Sequence, residues 1–213
     1  MLSLRNNNIT ELPHSIGKLR NLVELNVAGN QLRWLPWELL NLVEGKLVNL
    51  SIGPNPLLQD FQQGDTPPSS RWKGMPESES PWKTVYVAST PRTFFELDGS
   101  VARTGNQVLT TTAASTPSLF ELAIQSCSDT IPMAELHKYL PEDTPAAVDR
   151  AFDFARAAAG EGGRACSVCK RRFVVPRAEW IEYWRFNPLS LLYENGAHPF
   201  LRRSCSWKCA EAA

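Results

Sequence analysis

Hydrophobic positions at the start of the chain recur in a fixed frame. Leu2, Leu4, Ile9, Leu12 and Ile16, with Asn7 and Pro13 among them, return as Leu25, Val27, Leu32, Leu35 and Leu39 with Asn30 and Pro36, a period of 23 residues. A third copy, Leu47, Leu50, Ile52, Asn55 and Leu57, is displaced by two residues through an insertion at 44–46. Apolar residues two apart leave a strand on the same side, so each copy predicts a short strand whose leucines fill a coil. The asparagines are expected to turn inward and satisfy backbone groups where the strand bends. Pro13 and Pro36 set the turn onto the outer, convex side.

Beyond the repeats the pattern changes. Residues 64–81 are polar and proline-rich and read as a linker. Val85 and Val87 alternate with polar neighbours, and Phe95, Leu97 and Val101 flank Asp98-Gly99, a hairpin signal. Residues 102–115 are polar and threonine-rich, a further loop. Three helices are expected next. Pro117 followed by Ser118 and Glu121 forms a capping box, with Leu119, Leu122, Ala123, Ser126 and Cys127 on one face. Pro132 opens a second helix carrying Leu136 and Leu140, which Pro141 ends. Thr144-Pro145 starts a third with Val148, Phe152 and Ala155 as its stripe, stopped by Gly160, Gly162 and Gly163. Residues 173–176 predict a strand. Residues 177–184 predict an amphipathic helix whose face is Trp180, Ile181 and Trp184, read as the core of a small module rather than as a partner surface.

Repeats of this length and pattern resemble the leucine-proline type of intracellular leucine-rich repeat (LRR) protein. The resemblance implies an α/β solenoid end with short parallel strands. It also implies a concave face that binds protein partners, here Ser3, Arg5, Glu24, Asn26, Ala28, Asn49, Ser51 and Gly53. Those positions are equally explained as polar because they meet water. Solenoids need about three or more copies and polar caps. Met1 opens directly inside a copy, so upstream repeats are expected to be missing.

Charge excludes little and adds little. Lys plus Arg and Asp plus Glu both total 22, for a formal net charge of zero. The basic clusters at 170–172 and 202–203 are too short to argue nucleic-acid binding. No apolar run is long enough to span a bilayer. Among five cysteines, four fall late: Cys166 and Cys169, then Cys205 and Cys209, with 35 residues between the pairs. A Cys-x2-Cys turn presents two thiolates to one ion and a second pair closes the site. Zn2+ suits four thiolates because it brings no redox chemistry and little geometric demand. The expectation is a structural zinc site in a cytoplasmic or nuclear protein. Free thiols, disulfides and a redox Cys-x2-Cys are the rivals, and His198 is a candidate replacement for one ligand. Lys170, Arg171, Arg172, Arg202, Arg203 and Lys208 are expected to offset the charge of the centre.

One further segment carries a resemblance. Leu119, Ala123 and Cys127 at i, i+4 and i+8 are similar to the elongin C-binding box, a leucine followed by a small residue and another apolar one. Pro132, Leu136, Tyr139 and Leu140 are similar to the cullin-facing half of a suppressor-of-cytokine-signalling (SOCS) box. The resemblance implies helix-in-groove docking, with Leu119 entering an elongin C pocket and Pro132, Tyr139 and Leu140 orienting a cullin. The usual second proline is replaced by Ala134, which leaves the cullin open. The same spacing serves an ordinary core helix.

Residues 117–209 resemble the C-terminal region of a group of eukaryotic LRR proteins, some of which act as substrate receptors of cullin-RING ubiquitin ligases. The features shared are Pro117 through Ala123, the pair Cys166 and Cys169, and the pair Cys205 and Cys209. No phosphate loop, Gly-x-Ser-x-Gly or His-Glu-x-x-His occurs, and His14, His137 and His198 lie in separate segments. The expectation is therefore a non-enzymatic adaptor: repeats at 1–58, an irregular stretch with a hairpin at 59–115, a SOCS-box-like helical segment at 116–160 and an α+β four-cysteine zinc module at 161–213. The alternative is an LRR signalling or assembly scaffold whose C-terminal helices only cap the solenoid.

Overall fold

The computed structural model describes residues 1–58, 82–105, 119–132, 135, 137–160, 164–188 and 197–213. The linker at 64–81, most of the loop at 102–115, Pro117, Ser118, Ala134 and Leu136 lie outside them. Mixed helices and strands form two compact units, Met1–Thr90 with Ile181–Arg202, and Pro91–Trp180 with Arg203–Ala213. This differs from the four consecutive segments read along the sequence. The stretch after residue 160 is divided between the units. No helix among the described residues is long and apolar enough to cross a membrane.

In the first unit, β1 (Leu2–Ser3), β2 (Glu24–Asn26) and β4 (Asn49–Ser51) pair in parallel in the order β1-β2-β4. Leu2 stands opposite Leu25 and Leu25 opposite Leu50. Equivalent positions of the three copies are thus in register. The core beneath them holds Leu12, Ile16, Leu25, Val27, Leu32, Leu35, Leu39, Leu47, Leu50 and Ile52. A 3-10 turn at His14–Lys18 follows Pro13, and a short helix α1 (Leu39–Val43) follows Pro36.

The asparagines join neighbouring copies. Buried Asn30 donates from Nδ2 to the carbonyls of Leu4 (2.8 Å) and Val27 (2.9 Å) and accepts from the Ile9 N–H at 3.1 Å. Asn55 accepts from the Leu32 N–H at 3.1 Å and donates to the Val27 carbonyl at 3.0 Å. Asn7 departs from the expectation: it is exposed and bonds only the Leu4 and Arg5 carbonyls. β1 is the edge of this sheet, and Asn7 makes none of the cross-copy bonds that Asn30 and Asn55 make.

The same unit contains strands from later in the chain. β3 (Leu35–Pro36) pairs in parallel with β11 (His198–Ser204), Phe200 opposite Leu35, and Phe200 is fully buried in the repeat core. β5 (Trp82–Ser89) pairs antiparallel with β10 (Ala178–Pro188), with a bulge between Tyr183 and Trp184. The helix expected at 177–184 is thus a strand. Its aromatic and β-branched residues favour a pleated surface. Both of its faces are covered, which removes the clean alternation that marks a half-buried strand. Ala178 and Trp180 enter one core cluster and Ile181 and Tyr183 another. Trp184 packs edge-on against Trp37 and Tyr86, at 5.6 and 5.5 Å between centroids.

In the second unit, β6 (Thr93–Phe95) and β7 (Val101–Thr104) form the antiparallel hairpin signalled by Asp98-Gly99. Gly99 has φ +80°, and a Cβ there would strike the Phe154 ring. The Asp98 carboxylate accepts from the Ser100 N–H and Oγ–H and pairs with Arg150 at 2.6 Å. These contacts, the Ser100 hydroxyl foremost, hold it well below the usual carboxylate range. β6 also pairs with the start of β10, Phe94 opposite Ala178.

Helices α2 (Leu119–Thr130) and α3 (Ala146–Gly160) share a core of Ile124, Ala151, Phe152 and Ala155 with Val174 and Val175, flanked by Cys127, Leu140 and Val148. Among the described residues between them are a 3-10 turn at His137–Tyr139 and a helical Glu135. β8 (Arg164–Ala165) and β9 (Arg172–Phe173) make a two-stranded ribbon, and α4 (Trp207–Glu211) ends the chain.

Candidate metal centre

The β8–β9 ribbon places Cys166 and Cys169 at its turn. The Cys166 N–H donates to the Arg171 carbonyl at 2.8 Å, and the Lys170 N–H donates to the Cys166 carbonyl at 3.0 Å. Lys170, just after the pair, takes a left-handed conformation, φ +64°, where the chain turns back toward β9. The other pair comes from the start of α4. Ser206 caps that helix, its Oγ accepting from the Cys209 N–H at 3.1 Å. Cys205 thus stands just ahead of the cap and Cys209 in the first turn.

The four ligand atoms lie within 4.8 Å of one another. Cys169 Sγ is 3.5 Å from Cys205 Sγ, and Cys205 Sγ is 3.9 Å from Cys209 Sγ. Sulfurs about 2.3 Å from a tetrahedral Zn2+ stand about 3.8 Å apart, so this donor set fits a four-coordinate ion. None of the five cysteines is in a disulfide. Cys166 is buried, Cys205 and Cys209 are half-buried and Cys169 is exposed. The thiols share protons: a hydrogen bond from Cys205 draws Cys166 down to about 4, and the same bond pushes Cys205 up. Burial raises Cys209. A cation among them would replace those protons.

Several expected neighbours are committed elsewhere. Arg202 pairs with Glu182 at 2.7 Å in the first unit and lies over the Trp37 ring at 4.1 Å. Arg203 pairs with Glu179 at 2.7 Å. Both guanidinium groups are thus ion-paired, whereas Lys170, Arg171, Arg172 and Lys208 are exposed near the cysteines in sequence. His198 begins β11 in the first unit and is not among the clustered ligands. Cys127 packs with the α2–α3 core.

The sequence reading missed the brace behind the cysteines. The Ser167 N–H donates to the Arg203 carbonyl (2.9 Å), and Ser167 Oγ accepts from the Arg203 N–H (2.9 Å). The signal was a serine directly after the first cysteine of each pair, Ser167 and Ser206.

The residues read as a docking stripe divide. Leu119 is 84% exposed, Ala123 and Pro132 are exposed, and Tyr139 is 70% exposed. Cys127 and Leu140 are half-buried against the helical core. The face turned inward is Glu121, Ile124 and Cys127, rotated from the expected one. Burial pushes the Glu121 carboxyl up, against the Val174 N–H that it accepts and the attraction of Arg177 and Arg171. Of the other expected face, Ser3, Arg5 and Asn49 are exposed, and Glu24, Asn26 and Ser51 are half-buried. Asn49 Nδ2 donates to Glu24 at 3.1 Å. Neither a family model nor a curated relative matches the chain.

Proposed function

We propose that this protein is a non-enzymatic adaptor built from LRR coils and a zinc-stapled C-terminal module, and that it serves as a substrate receptor of a cullin-RING ubiquitin ligase. The observation that carries the docking half is the outward face of α2. Leu119, Leu122 and Ala123 are exposed while Ile124 is 3% exposed. A leucine held out on a helix that is anchored by its opposite face can enter a partner's groove without unfolding its own core. Leu119 and Ala123 are the elongin C contacts, with Cys127 at the margin of the contact. Pro132, Tyr139 and Leu140 face the cullin, and Leu136 completes that set. The strand face bearing Ser3, Arg5, Glu24, Asn26, Asn49 and Ser51 takes the substrate. Three parallel strands in register and asparagines bridging successive copies support the coil reading.

The metal is structural Zn2+ held by Cys166, Cys169, Cys205 and Cys209. Four thiolates leave no open position for a water or substrate, which is the mark of a structural and not a catalytic centre. The ion would cross-link the ribbon, whose strands are only two residues long, to α4, a helix of five residues.

Co-purification of the zinc-loaded chain with elongin C, beside Leu119→Asp, tests the adaptor reading. Capture lost in the variant supports it, and no capture by the intact chain refutes it. A second reading, an LRR scaffold in which the helices at 116–160 are only part of the fold, is favoured by Cys127 and Leu140, which pack inward. The zinc reading is tested by the metal content of the purified chain, with one Zn2+ per chain expected.

A further inference from the structure

We propose that the four-cysteine centre is a peroxide-responsive switch, in which oxidation joins Cys169 to Cys205 as a disulfide and expels the metal. The proposal rests on the reading that these thiolates hold Zn2+, and it adds a chemistry to a centre otherwise described as a staple.

Accessibility selects the first thiolate. Cys169 is exposed, whereas Cys166 is fully buried and its N–H and carbonyl are both engaged in the ribbon turn. An oxidant arriving from water therefore meets Cys169 first, since oxidation follows thiolate character and exposure. Geometry selects the second. Cys205 Sγ stands 3.5 Å from Cys169 Sγ, and a disulfide needs about 2.05 Å, so about 1.5 Å of approach is required. Cys169 lies in the ribbon turn and Cys205 ahead of the helix cap, both outside regular elements. Cys205 and Cys209 are farther apart, 3.9 Å, and the Ser206 cap holds the backbone between them.

The step balances. The Cys169 thiolate attacks one peroxide oxygen; an S–O bond forms, the O–O bond breaks, and the released hydroxide takes a proton to become water. The Cys205 thiolate then attacks the Cys169 sulfur; the S–S bond forms, the S–O bond breaks, and a second hydroxide leaves and is protonated. Two thiolates lose one electron each, and peroxide gains both. Cys166 and Cys209, the two thiolates left, would supply only half of the donor set and would not retain the ion. A thiol reductant reverses the change when Zn2+ is resupplied. Cys127, half-buried against the helical core and not among the clustered ligands, takes no part.

The test uses the full chain loaded with Zn2+ and treated with stoichiometric hydrogen peroxide. Released metal is read with a chromogenic chelator and disulfides are mapped by peptide mass spectrometry. The expected result is complete metal loss in step with one disulfide, Cys169 to Cys205, unchanged in Cys127→Ser. Retained zinc, a Cys166–Cys169 disulfide, or dependence on Cys127 would each overturn the proposal. A chain that takes up no Zn2+ before peroxide is added instead refutes the metal reading beneath it, so the two failures are distinguishable.

Discussion

Ser167 and Arg203 hold each other beside the four-cysteine cluster: the Arg203 N–H reaches Ser167 Oγ at 2.9 Å, and Ser167 Oγ also donates to the Arg203 carbonyl at 2.7 Å. One partner follows the first cysteine of the ribbon, and the other lies two residues before Cys205. Ser167→Ala removes the hydroxyl bonds and leaves the backbone bond from the Ser167 N–H. Groups that orient ligands typically contribute 10–100-fold to metal affinity. Affinity for Zn2+ is expected to fall about 10-fold in this variant, read by competition with a calibrated chelator.

Metal removal should loosen the second unit selectively. Trp207 begins α4 between two ligands and donates from its indole to the Phe95 carbonyl at 3.1 Å. Chelation is expected to shift tryptophan fluorescence and to increase hydrogen exchange in β8, β9 and α4. Because ligand thiols must lose protons to bind, affinity should weaken as pH falls. Zn2+ titrations across pH check this, and a flat profile would contradict thiolate ligation.

Glu121 gives a second pH dependence of definite sign. Its carboxyl is raised in the folded protein by burial. The folded state therefore binds the proton more tightly than the unfolded chain does. That contribution is present in full below the unfolded carboxylate range and is lost as pH rises through the folded value. Glu121→Gln is expected to raise stability at neutral pH by up to about 1 kcal/mol, with the gain vanishing in acid. Urea unfolding at two pH values measures it.

Asn30 and Asn7 occupy the same repeat position with unequal consequences. Asn30 is 4% exposed and bonds across two copies, so Asn30→Ala strands several buried groups and should cost about 2–3 kcal/mol or more. Asn7→Ala, at an exposed site, should stay within about 0.5 kcal/mol. Equal losses in chemical denaturation would contradict the inter-copy role.

On the proposed adaptor reading, the two faces of α2 should separate capture from folding. Ile124→Asp buries a charge and is expected to lower stability by more than about 3 kcal/mol. Leu119→Asp, on the outward face, should leave the unfolding midpoint within about 0.5 kcal/mol of the parent while abolishing partner capture. Loss of folding in Leu119→Asp would show that this face is covered.

The repeat frame of 23 residues, the inward asparagines Asn30 and Asn55, the turn at Asp98-Gly99, the stripe Val148, Phe152 and Ala155 and the four-cysteine set were legible in the residues themselves. Each is local or strictly periodic. A coil repeats its own contacts, a turn is made by two residues, and thiolates paired at short spacing have few other uses. Tertiary structure decided the rest. Residues 177–184 became a strand because both faces found a core, and large side chains buried on both sides leave no clean alternation to read. Phe200 entered the repeat core, and Arg202 and Arg203 paired with Glu182 and Glu179, through contacts between segments apart in the chain. The outward face of α2 was set by which side Val174 and Val175 covered. Periodicity reports how much a segment buries; only the assembled chain supplies the surface it is buried against.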